Sequence, residues 1–291
     1  MFNRLCFIGV GLIGGSMART ARLRGLANEY VGFGREADQH NLDQAKRLGV
    51  IDDYYLSVAE ALEGADGVVI ATPVAAFEAV FTQLKPYWSS DAVYTDVGST
   101  KGNVVAAAER VFGYVPDNFI PAHPIAGAEN SGVEAAVDNL FVNKRLIVTP
   151  TETSNPDAVR KIRQLWEQLG SVVSVMDVVQ HDSVLAATSH LPHILAFALV
   201  DMLGQRDEQH EIFKYAAGGF RDFTRIASSD PTMWRDICLA NKDELMPLIE
   251  QFKAELDKIY SLLQQSESQA LFDTFSYARQ ARQRFLDQLL T

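Results

Sequence analysis

One histidine, His123, lies in a segment whose composition suits proton transfer. The segment reads Pro121-Ala-His-Pro-Ile-Ala-Gly127 and directly follows a run of residues typical of a strand. A neutral imidazole, with an ordinary pKa of about 6.5, can accept the proton of an alcohol while a hydride leaves the same carbon. A lone histidine is more often structural, but loops that follow strands frequently carry function. The position therefore predicts that His123 is a general base.

A second candidate is Ser99, in Asp96-Val-Gly-Ser-Thr-Lys101. This segment also follows a predicted strand, and it begins a predicted helix. The hydroxyl of Ser99 can orient a substrate group or a catalytic base, or it can cap the helix that follows. The residues alone leave both interpretations open.

Two more histidines, His190 and His193, interrupt a mostly apolar stretch at Thr188-Ser-His-Leu-Pro-His193. Histidines are common metal ligands, but no cysteine accompanies this pair, and we predict no metal site. Polar residues in a buried helix usually line a cavity or bond internally. We expect His190 to line a cavity, and the role of His193 stays open.

Two arginines, Arg221 and Arg225, lie four residues apart in Gly218-Gly-Phe-Arg-Asp-Phe-Thr-Arg225. On a helix they form either a surface row of ion pairs with Asp222 or a clamp for a carboxylate. The net charge of −11 means that an anionic substrate must be met by locally placed arginines. The sequence does not decide between the two interpretations.

A glycine pattern, Gly9-x-Gly11-x-x-Gly14, follows one predicted strand and opens a predicted helix. Gly9 permits the tight turn, Gly11 lets a pyrophosphate approach the backbone, and Gly14 lets helix and strand pack closely. Leu12 and Ile13 belong to the same turn, where the helix N-terminus faces the phosphate charge. The pattern predicts a dinucleotide site.

The cofactor choice depends on Gly34 and Arg35. An acidic residue about 20 positions after the glycine pattern binds the ribose hydroxyls of NAD, but Gly34 stands there. A glycine leaves room for a 2′-phosphate, and Arg35 can pair with it. The residues indicate NAD(P), with a preference for NADP. Thr72 and Pro73 end another predicted strand, where open α/β sheets place ligand-binding loops.

Strands alternating with helical patterns must position these residues. Such alternation is the signature of βαβ units and predicts an α/β fold with a Rossmann-type doubly wound parallel sheet. The predicted strands are Leu5–Val10, Tyr30–Phe33, Gly67–Thr72, Ala92–Val97, Asn118–Ala122, Arg145–Thr149 and Val172–Met176. The predicted helices lie near 12–26, 38–48, 74–86, 100–113 and 156–169.

Beyond about Asp177 the chain reads as helices only. We therefore predict a dinucleotide-binding domain over 1–176 and an all-α domain over 177–291. Apolar residues recur there at steps of three and four, as in Leu245, Leu248, Ile249, Phe252, Leu256, Ile259, Tyr260 and Leu263. These apolar faces exceed what one small domain can cover itself, so we expect a homodimer.

The composition narrows the function further. With 47% hydrophobic and 22% charged residues the chain has the balance of a folded protein. Its negative charge argues against nucleic acid or an anionic membrane as a partner. Cys6 and Cys238 show no ligand spacing, which favours the reducing cytoplasm. The apolar stretch Val184–Leu203 contains several polar residues, so we interpret it as a buried helix rather than a membrane span.

Taken together, the motifs resemble those of the prephenate and arogenate dehydrogenase family. The matching segments are Gly9-Val-Gly-Leu-Ile-Gly-Gly-Ser16, Asp96-Val-Gly-Ser-Thr-Lys101, His123-Pro-Ile-Ala-Gly-Ala-Glu129, Ser189-His-Leu-Pro-His193 and Gly219-Phe-Arg-Asp-Phe-Thr-Arg225 through Ser229-Asp-Pro-Thr-Met-Trp-Arg-Asp236. They follow the family's order and are spread over most of the chain. Gly34 departs from the family, because many relatives carry an acid there.

The resemblance implies oxidative decarboxylation of prephenate to 4-hydroxyphenylpyruvate in tyrosine biosynthesis, or of arogenate to tyrosine. It implies that His123 accepts the proton of the ring hydroxyl, with Ser99 hydrogen-bonded beside it. It also implies an N-terminal Rossmann domain with a helical dimerisation domain, and L-tyrosine as a feedback inhibitor.

For substrate binding, the resemblance assigns Arg225 to a carboxylate and His190 to the pocket. Glu129, Asp222 and Trp234 fall in segments that surround or support the site. We expect Glu129 to meet the ammonium of arogenate, although it can equally cap a helix or pair with Arg225. Two alternatives remain, a β-hydroxyacid dehydrogenase-like enzyme and a non-enzymatic dinucleotide sensor.

Overall fold

The computed structural model describes residues 1–128, 130–206 and 211–289. The chain divides into two compact units, Met1–Lys242 and Asp243–Thr291. Every residue of the candidate site considered below belongs to the first unit.

The first unit is built on a six-stranded sheet in which all pairings are parallel. Its strands are β1 (Phe2–Ile8), β2 (Ala27–Phe33), β3 (Asp53–Tyr55), β4 (Gly67–Ile70), β5 (Val93–Asp96) and β6 (Phe119–Ile120). The spatial order is β3-β2-β1-β4-β5-β6. The order reverses between β1 and β4, and open α/β sheets bind ligands in the crevice at such a reversal.

Helices cover both faces of this sheet, because successive apolar side chains of β1 point to opposite faces and both sets are buried. Phe2, Leu5 and Phe7 join one apolar cluster, while Cys6 and Ile8 join the other. The helices that follow these strands are α1 (Leu12–Leu23), α2 (Gln39–Arg47), α3 (Val58–Leu62), α4 (Phe77–Leu84), α5 (Gly102–Phe112) and α6 (Pro156–Gln168). The predicted doubly wound α/β fold is confirmed.

A second, three-stranded sheet was not predicted as separate. It consists of β7 (Ala122–Pro124), β8 (Arg145–Val148) and β9 (Val172–Val175), with β7 antiparallel to β8 and β9 parallel to β8. The sequence pattern merged β6 and β7 into one strand, but Pro121 divides them because proline has no N–H to donate to a ladder. The pattern also missed β3 and α3, which are only three and five residues long.

Among the described residues, the first unit continues with five α-helices: α7 (Val178–Leu185), α8 (Leu191–Gly204), α9 (Glu211–Lys214), α10 (Gly218–Thr224) and α11 (Pro231–Ala240). A π-helical turn over Ala186–His190 joins α7 to α8. Pro192 lies just beyond it and cannot donate a helical hydrogen bond, so the regular α-helical ladder is interrupted here. Such π turns are frequent at functional sites.

The second unit consists of two long helices, α12 (Lys242–Gln264) and α13 (Ser268–Leu289). Several large apolar side chains of this unit are exposed in the single chain. They include Met246, Leu256, Tyr260 and Leu263 of α12 and Phe272, Phe275, Tyr277 and Phe285 of α13.

One helical stretch among the described residues, Val178–Gly204, is long and apolar enough to cross a membrane by length and composition alone. Only 22% of its most apolar window is buried in the single chain. It was predicted to be a buried helix, and in this respect the prediction was wrong for the isolated chain.

Candidate active site

The loop between β1 and α1 has the backbone geometry that close approach to a phosphate requires. Gly9 has a φ of +91°, and a Cβ there would stand 2.8 Å from the carbonyl oxygen of Ala71. A Cβ on Gly14 would meet the carbonyl oxygen of Gly9 at 2.5 Å, whereas a Cβ on Gly11 would meet no atom within 4 Å. Two of the glycines therefore serve chain packing, and Gly11 borders open space.

The N-terminus of α1 has the features of an anion site. Gly11 caps the helix without any side-chain hydrogen bond, so first-turn N–H groups at Leu12 and Ile13 lack a helical or capping partner. Across the crevice, Thr72 follows β4 and its buried Oγ1 has no hydrogen-bond partner. Its methyl group would lie 3.3 Å from a Cβ on Gly9. The N–H groups that follow Gly11, which borders open space, fit the pyrophosphate of a dinucleotide.

Gly34 and Arg35 lie beside this loop, because Gly9 donates its backbone N–H to Phe33 at 2.9 Å. Arg35 pairs with Asp38, with Nε to Oδ2 at 2.9 Å and Nη2 to Oδ1 at 3.2 Å. The guanidinium holds the pKa of Asp38 below its ordinary value. Gly34 stands where an acidic residue was expected after the glycine pattern. The carboxylate of Asp38 lies near this position.

A buried ion pair anchors the strand that carries His123. Lys101 and Asp96 form this pair, and both side chains are fully buried. Lys101 Nζ also donates to the carbonyl oxygen of Ala122 at 2.8 Å, and Asp96 Oδ1 accepts the N–H of Ala122 at 3.1 Å. The N–H and the carbonyl oxygen of Ala122, the residue before His123, therefore both have a side-chain hydrogen-bond partner. Removing one partner of such a pair typically costs about 3–5 kcal/mol.

His123 is itself part of a hydrogen-bonded chain that reaches α7. Its Nδ1 lies 2.9 Å from Nε2 of His181, and Nδ1 of His181 lies 2.7 Å from Oδ1 of Asp182. The Asp182 carboxylate also accepts the backbone N–H groups of Lys101 at 2.9 Å and Gly102 at 2.7 Å. Asp182 thereby ties α7 to the N-terminus of α5 and to the imidazole of His123.

His190, at the end of the π turn, has a separate partner. Asn241 Nδ2 lies 3.1 Å from Nδ1 of His190 and donates to the backbone carbonyl of Asp182 at 2.8 Å. His190 is only 1% exposed. Its ring lies edge-on to Trp234, with the centroids 6.0 Å apart.

His193, one turn further, stacks on Trp234 with ring centroids 3.5 Å apart. Its Nδ1 lies 2.8 Å from the carbonyl oxygen of Ser189. Burial lowers the pKa of His193, and the nearby charge of Arg225 lowers it further. Trp234 is buried, and its Nε1 has no hydrogen-bond partner. The exposed guanidinium of Arg225, the buried indole N–H of Trp234 and the imidazole of His193 therefore belong to the same group of residues.

The imidazoles of His123 and His190 favour the neutral form. Burial lowers the pKa of His123 well below 6.5, and charges on His181, Lys101 and His190 act in the same direction. Burial also lowers the pKa of His190, to about 4. For Asp182, burial alone would raise the pKa, but hydrogen bonds from His181 and two backbone amides bring it below its ordinary value. The lowered pKa of Asp182 favours its ionised form.

The remaining predicted residues are distributed as follows. Ser99 is half-buried in the loop before α5, and Nδ1 of His123 bonds to His181 rather than to Ser99. Arg221 forms an exposed pair with Asp222 at 3.5 Å, which supports the surface interpretation for this arginine. Glu129 lies outside the described residues.

Sequence reasoning missed His181, Asp182 and Asn241. The signal for the first two was an adjacent histidine and aspartate at the start of the helical region. Asn241 carried no signal, because its role depends on the fold bringing the C-terminus of α11 to Asp182. Within residues 1–128, 130–206 and 211–289, no group of three or more His, Cys, Asp or Glu is arranged to hold a metal ion.

Two family models match the chain, one in each half. A family model described as prephenate dehydrogenase, nucleotide-binding domain, matches residues 17–175, and one described as prephenate dehydrogenase, dimerization domain, matches residues 177–277. Prephenate dehydrogenase of Bacillus subtilis is 36% identical over 289 residues, which cover 97% of this chain and 76% of that relative. Cyclohexadienyl dehydrogenase of Zymomonas mobilis is 32% identical over 285 residues, which cover 97% and 96%.

Among solved structures, prephenate dehydrogenase from A. aeolicus in complex with hydroxyphenyl propionate and NAD+ superposes with a TM-score of 0.90. It is 36% identical, and the match covers 98% of this chain and 99% of that one. Sequence and structure thus agree over nearly the whole length. The chain belongs to the prephenate dehydrogenase family.

Proposed function

We propose that this protein is a prephenate dehydrogenase that converts prephenate to 4-hydroxyphenylpyruvate with NAD(P), and that it also accepts arogenate. The observation that carries the proposal is the buried, neutral His123, whose Nδ1 is engaged by His181. A base of this kind can take the proton of the ring hydroxyl at Nε2. The relatives' names, prephenate and cyclohexadienyl dehydrogenase, support the same substrate class.

In the proposed reaction the dinucleotide supplies a hydride acceptor when bound. His123 removes the hydroxyl proton as hydride leaves the ring carbon, and loss of carbon dioxide then completes the aromatic ring. Ser99, half-buried two residues before Lys101, orients the same hydroxyl. The backbone around Gly9, Gly11 and Gly14 would hold the pyrophosphate, and Thr72 and Pro73, which follow β4, would contact the dinucleotide as well.

Substrate anchoring falls to the group around Trp234. Arg225 is exposed and its charge lowers the pKa of His193, which stacks on Trp234, so we assign to Arg225 the binding of a substrate carboxylate. His190 lines the same pocket, and Trp234 supplies an aromatic wall and an N–H donor. Glu129 remains our proposed contact for the ammonium of arogenate.

For the cofactor, we propose a modest preference for NADP. Arg35 follows Gly34, and its exposed guanidinium can reach a 2′-phosphate. Asp38 opposes this preference, because it neutralises Arg35 and can itself accept ribose hydroxyls. The balance between the two makes the preference small.

We further propose a cytoplasmic homodimer with the domain boundary at residues 176 and 177. The exposed apolar surfaces of Val178–Gly204 and of α12 and α13 support an assembly that covers them. L-tyrosine, which resembles the product, is proposed to inhibit competitively with substrate. Sedimentation at twice the chain mass and a competitive inhibition pattern are the expected results.

The test is an assay of prephenate and arogenate, each with NAD and with NADP, that follows reduced cofactor by absorbance and identifies the product. We expect 4-hydroxyphenylpyruvate from prephenate and faster turnover with NADP. Cofactor binding without reduction of either cofactor would favour the dinucleotide sensor. Reduction with small β-hydroxyacids but not with either ring substrate would favour the β-hydroxyacid dehydrogenase alternative.

A further inference from the structure

The hydrogen-bond partners of His123 and His190 determine which nitrogen of each ring carries the hydrogen. A neutral imidazole has one donor and one acceptor nitrogen, and the bond made by one nitrogen decides the state of the other. Both rings use Nδ1 for a partner within the protein, so both have Nε2 left for a ligand. Their Nδ1 partners, however, differ in kind.

The chain behind His123 ends in a group that only accepts. The ionised Asp182 carboxylate already takes two backbone N–H groups, so Nδ1 of His181, 2.7 Å away, must be the donor. In a neutral His181, Nε2 is then bare and accepts the hydrogen on Nδ1 of His123. His123 is left with a bare Nε2, as a base requires.

The partner of His190 is a donor. Asn241 Nδ2 lies 2.8 Å from the carbonyl oxygen of Asp182, which can only accept, so this atom is the NH₂ group of the amide. Its other hydrogen points to Nδ1 of His190 at 3.1 Å. Nδ1 of His190 is therefore bare, and the ring hydrogen resides on Nε2.

We propose that Asp182 and Asn241 hold His123 and His190 in opposite tautomers, so that His123 presents a proton acceptor and His190 a neutral hydrogen-bond donor. Asp182 governs both rings, one through its side chain and His181, the other through its backbone carbonyl and Asn241. His181, Asp182 and Asn241 are positioning residues in this scheme. The role of His123 as the base rests on the proposed function. The assignment of the two tautomers rests only on the hydrogen bonds described above.

During turnover the proton of the substrate hydroxyl bonds to Nε2 of His123. The resulting cation keeps its Nδ1 hydrogen bonded to His181, and the His181 hydrogen stays on the side facing Asp182. The carboxylate stabilises the positive charge through His181 without being protonated itself. After product release His123 returns the proton to water. His190 donates from Nε2 to an oxygen of the substrate throughout.

The experiment is ¹⁵N NMR of the full chain with ¹⁵N-labelled histidine and no substrate, which distinguishes protonated from bare ring nitrogens. The chain has six histidines, and single substitutions assign them. We expect His123 to be protonated at Nδ1 and His190 at Nε2. The same tautomer in both rings, or a doubly protonated His181, would overturn the proposal.

Two variants sharpen this test. In Asp182→Asn the amide can donate to His181, which reverses His181 and leaves Nε2 of His123 protonated; kcat should fall about 10²–10⁴-fold with cofactor affinity unchanged. In Asn241→Asp the carboxylate accepts from Nδ1 of His190 and should reverse only that ring. Asp177→Asn is the matched control, because Asp177 caps the same helix from an exposed position and should change neither ring.

The pattern of effects decides the outcome. Each variant that reverses its own histidine and leaves the other unchanged supports the proposal, while a variant that folds and alters neither ring contradicts it. If Asp182→Asn does not fold, the wild-type spectrum and Asn241→Asp still decide. Failure of the proposed function would appear separately, as correct tautomers in a protein that reduces no cofactor with either ring substrate.

Discussion

We propose that the glycine loop and the histidine cluster are two halves of one site, and the structure builds them in different ways. The loop spans Gly9 to Gly14, and it works through backbone N–H groups and the space that missing side chains leave. The cluster joins His123, His181, Asp182, His190 and Asn241, which come from four separate segments and work through side-chain hydrogen bonds. A local backbone site can be read from spacing, whereas a side-chain network exists only after folding.

This difference predicts separable phenotypes. Changes in the loop should weaken cofactor binding, because the backbone there forms the phosphate site. Changes in the cluster should slow turnover while the cofactor still binds, because the network orients a base. Substitutions that mix the two effects would contradict this division of the site.

The largest effect is expected for His123→Asn. The variant should fold and bind cofactor normally, but kcat should fall by about 10²–10⁴, the usual contribution of general base catalysis. Turnover and cofactor binding, followed by fluorescence titration, provide the two measurements. His40→Asn, at an exposed position on α2, is the control and should retain wild-type activity. Near-native turnover in His123→Asn would remove this residue from the mechanism.

The next effect concerns substrate binding by Arg225. Replacing it with glutamine should weaken binding by about 1.5–3 kcal/mol, the usual value of a hydrogen bond to a charged group. Cofactor affinity should hardly change. Arg221→Gln is the matched control, because Arg221 lies one turn earlier in an exposed pair with Asp222 and should have little effect. Equal losses in the two variants would contradict a specific role for Arg225.

For the loop, Gly11→Ala provides the complementary test. A Cβ at this position meets no protein atom within 4 Å, so the fold and its Tm should be unchanged. The methyl group would occupy space that we assign to the pyrophosphate, and crowding of this kind typically costs about 1–3 kcal/mol. Cofactor Kd should rise accordingly, while kcat at saturating cofactor stays close to wild type. Unchanged Kd would mean that the pyrophosphate lies elsewhere.

The smallest effect is expected for cofactor choice. Arg35→Ala should raise KM for NADP by about fivefold, since exposed ion pairs contribute roughly 1 kcal/mol or less. KM for NAD should stay constant, and Asp38→Ala should shift preference further toward NADP. Gly34→Asp is a less clean test, because its Cβ would stand 3.0 Å from Leu42 Cδ1 and 3.2 Å from Asp38 Cβ. A wild type that strongly prefers NAD would contradict the proposed preference.

The sequence predicted those parts of the molecule that depend on local pattern. The long strands, the helices between them and the glycine loop follow from hydrophobic period and glycine spacing, and so does the α/β fold class. The division at Pro121 and the short strand Asp53–Tyr55 were missed, because two or three residues carry no detectable period.

The candidate site was predicted only in part. His123 was a candidate because it follows a predicted strand in a loop-like segment, but its hydrogen-bond partner His181 is 58 residues away in the chain. Asn241 is 51 residues from His190 and 59 from Asp182. No spacing rule connects such positions, because tertiary packing alone brings them together.

The pH dependence of kcat/KM shows whether a buried and neutral His123 is the base. The unprotonated ring is the active form, and burial lowers the pKa of His123 well below 6.5. We therefore predict that kcat/KM is constant around pH 7 and falls only as the pH drops through a value below 6.5. The residual activity of His123→Asn should lack this acidic limb. A limb at or above pH 6.5 in wild type, or the same limb in the variant, would contradict the account.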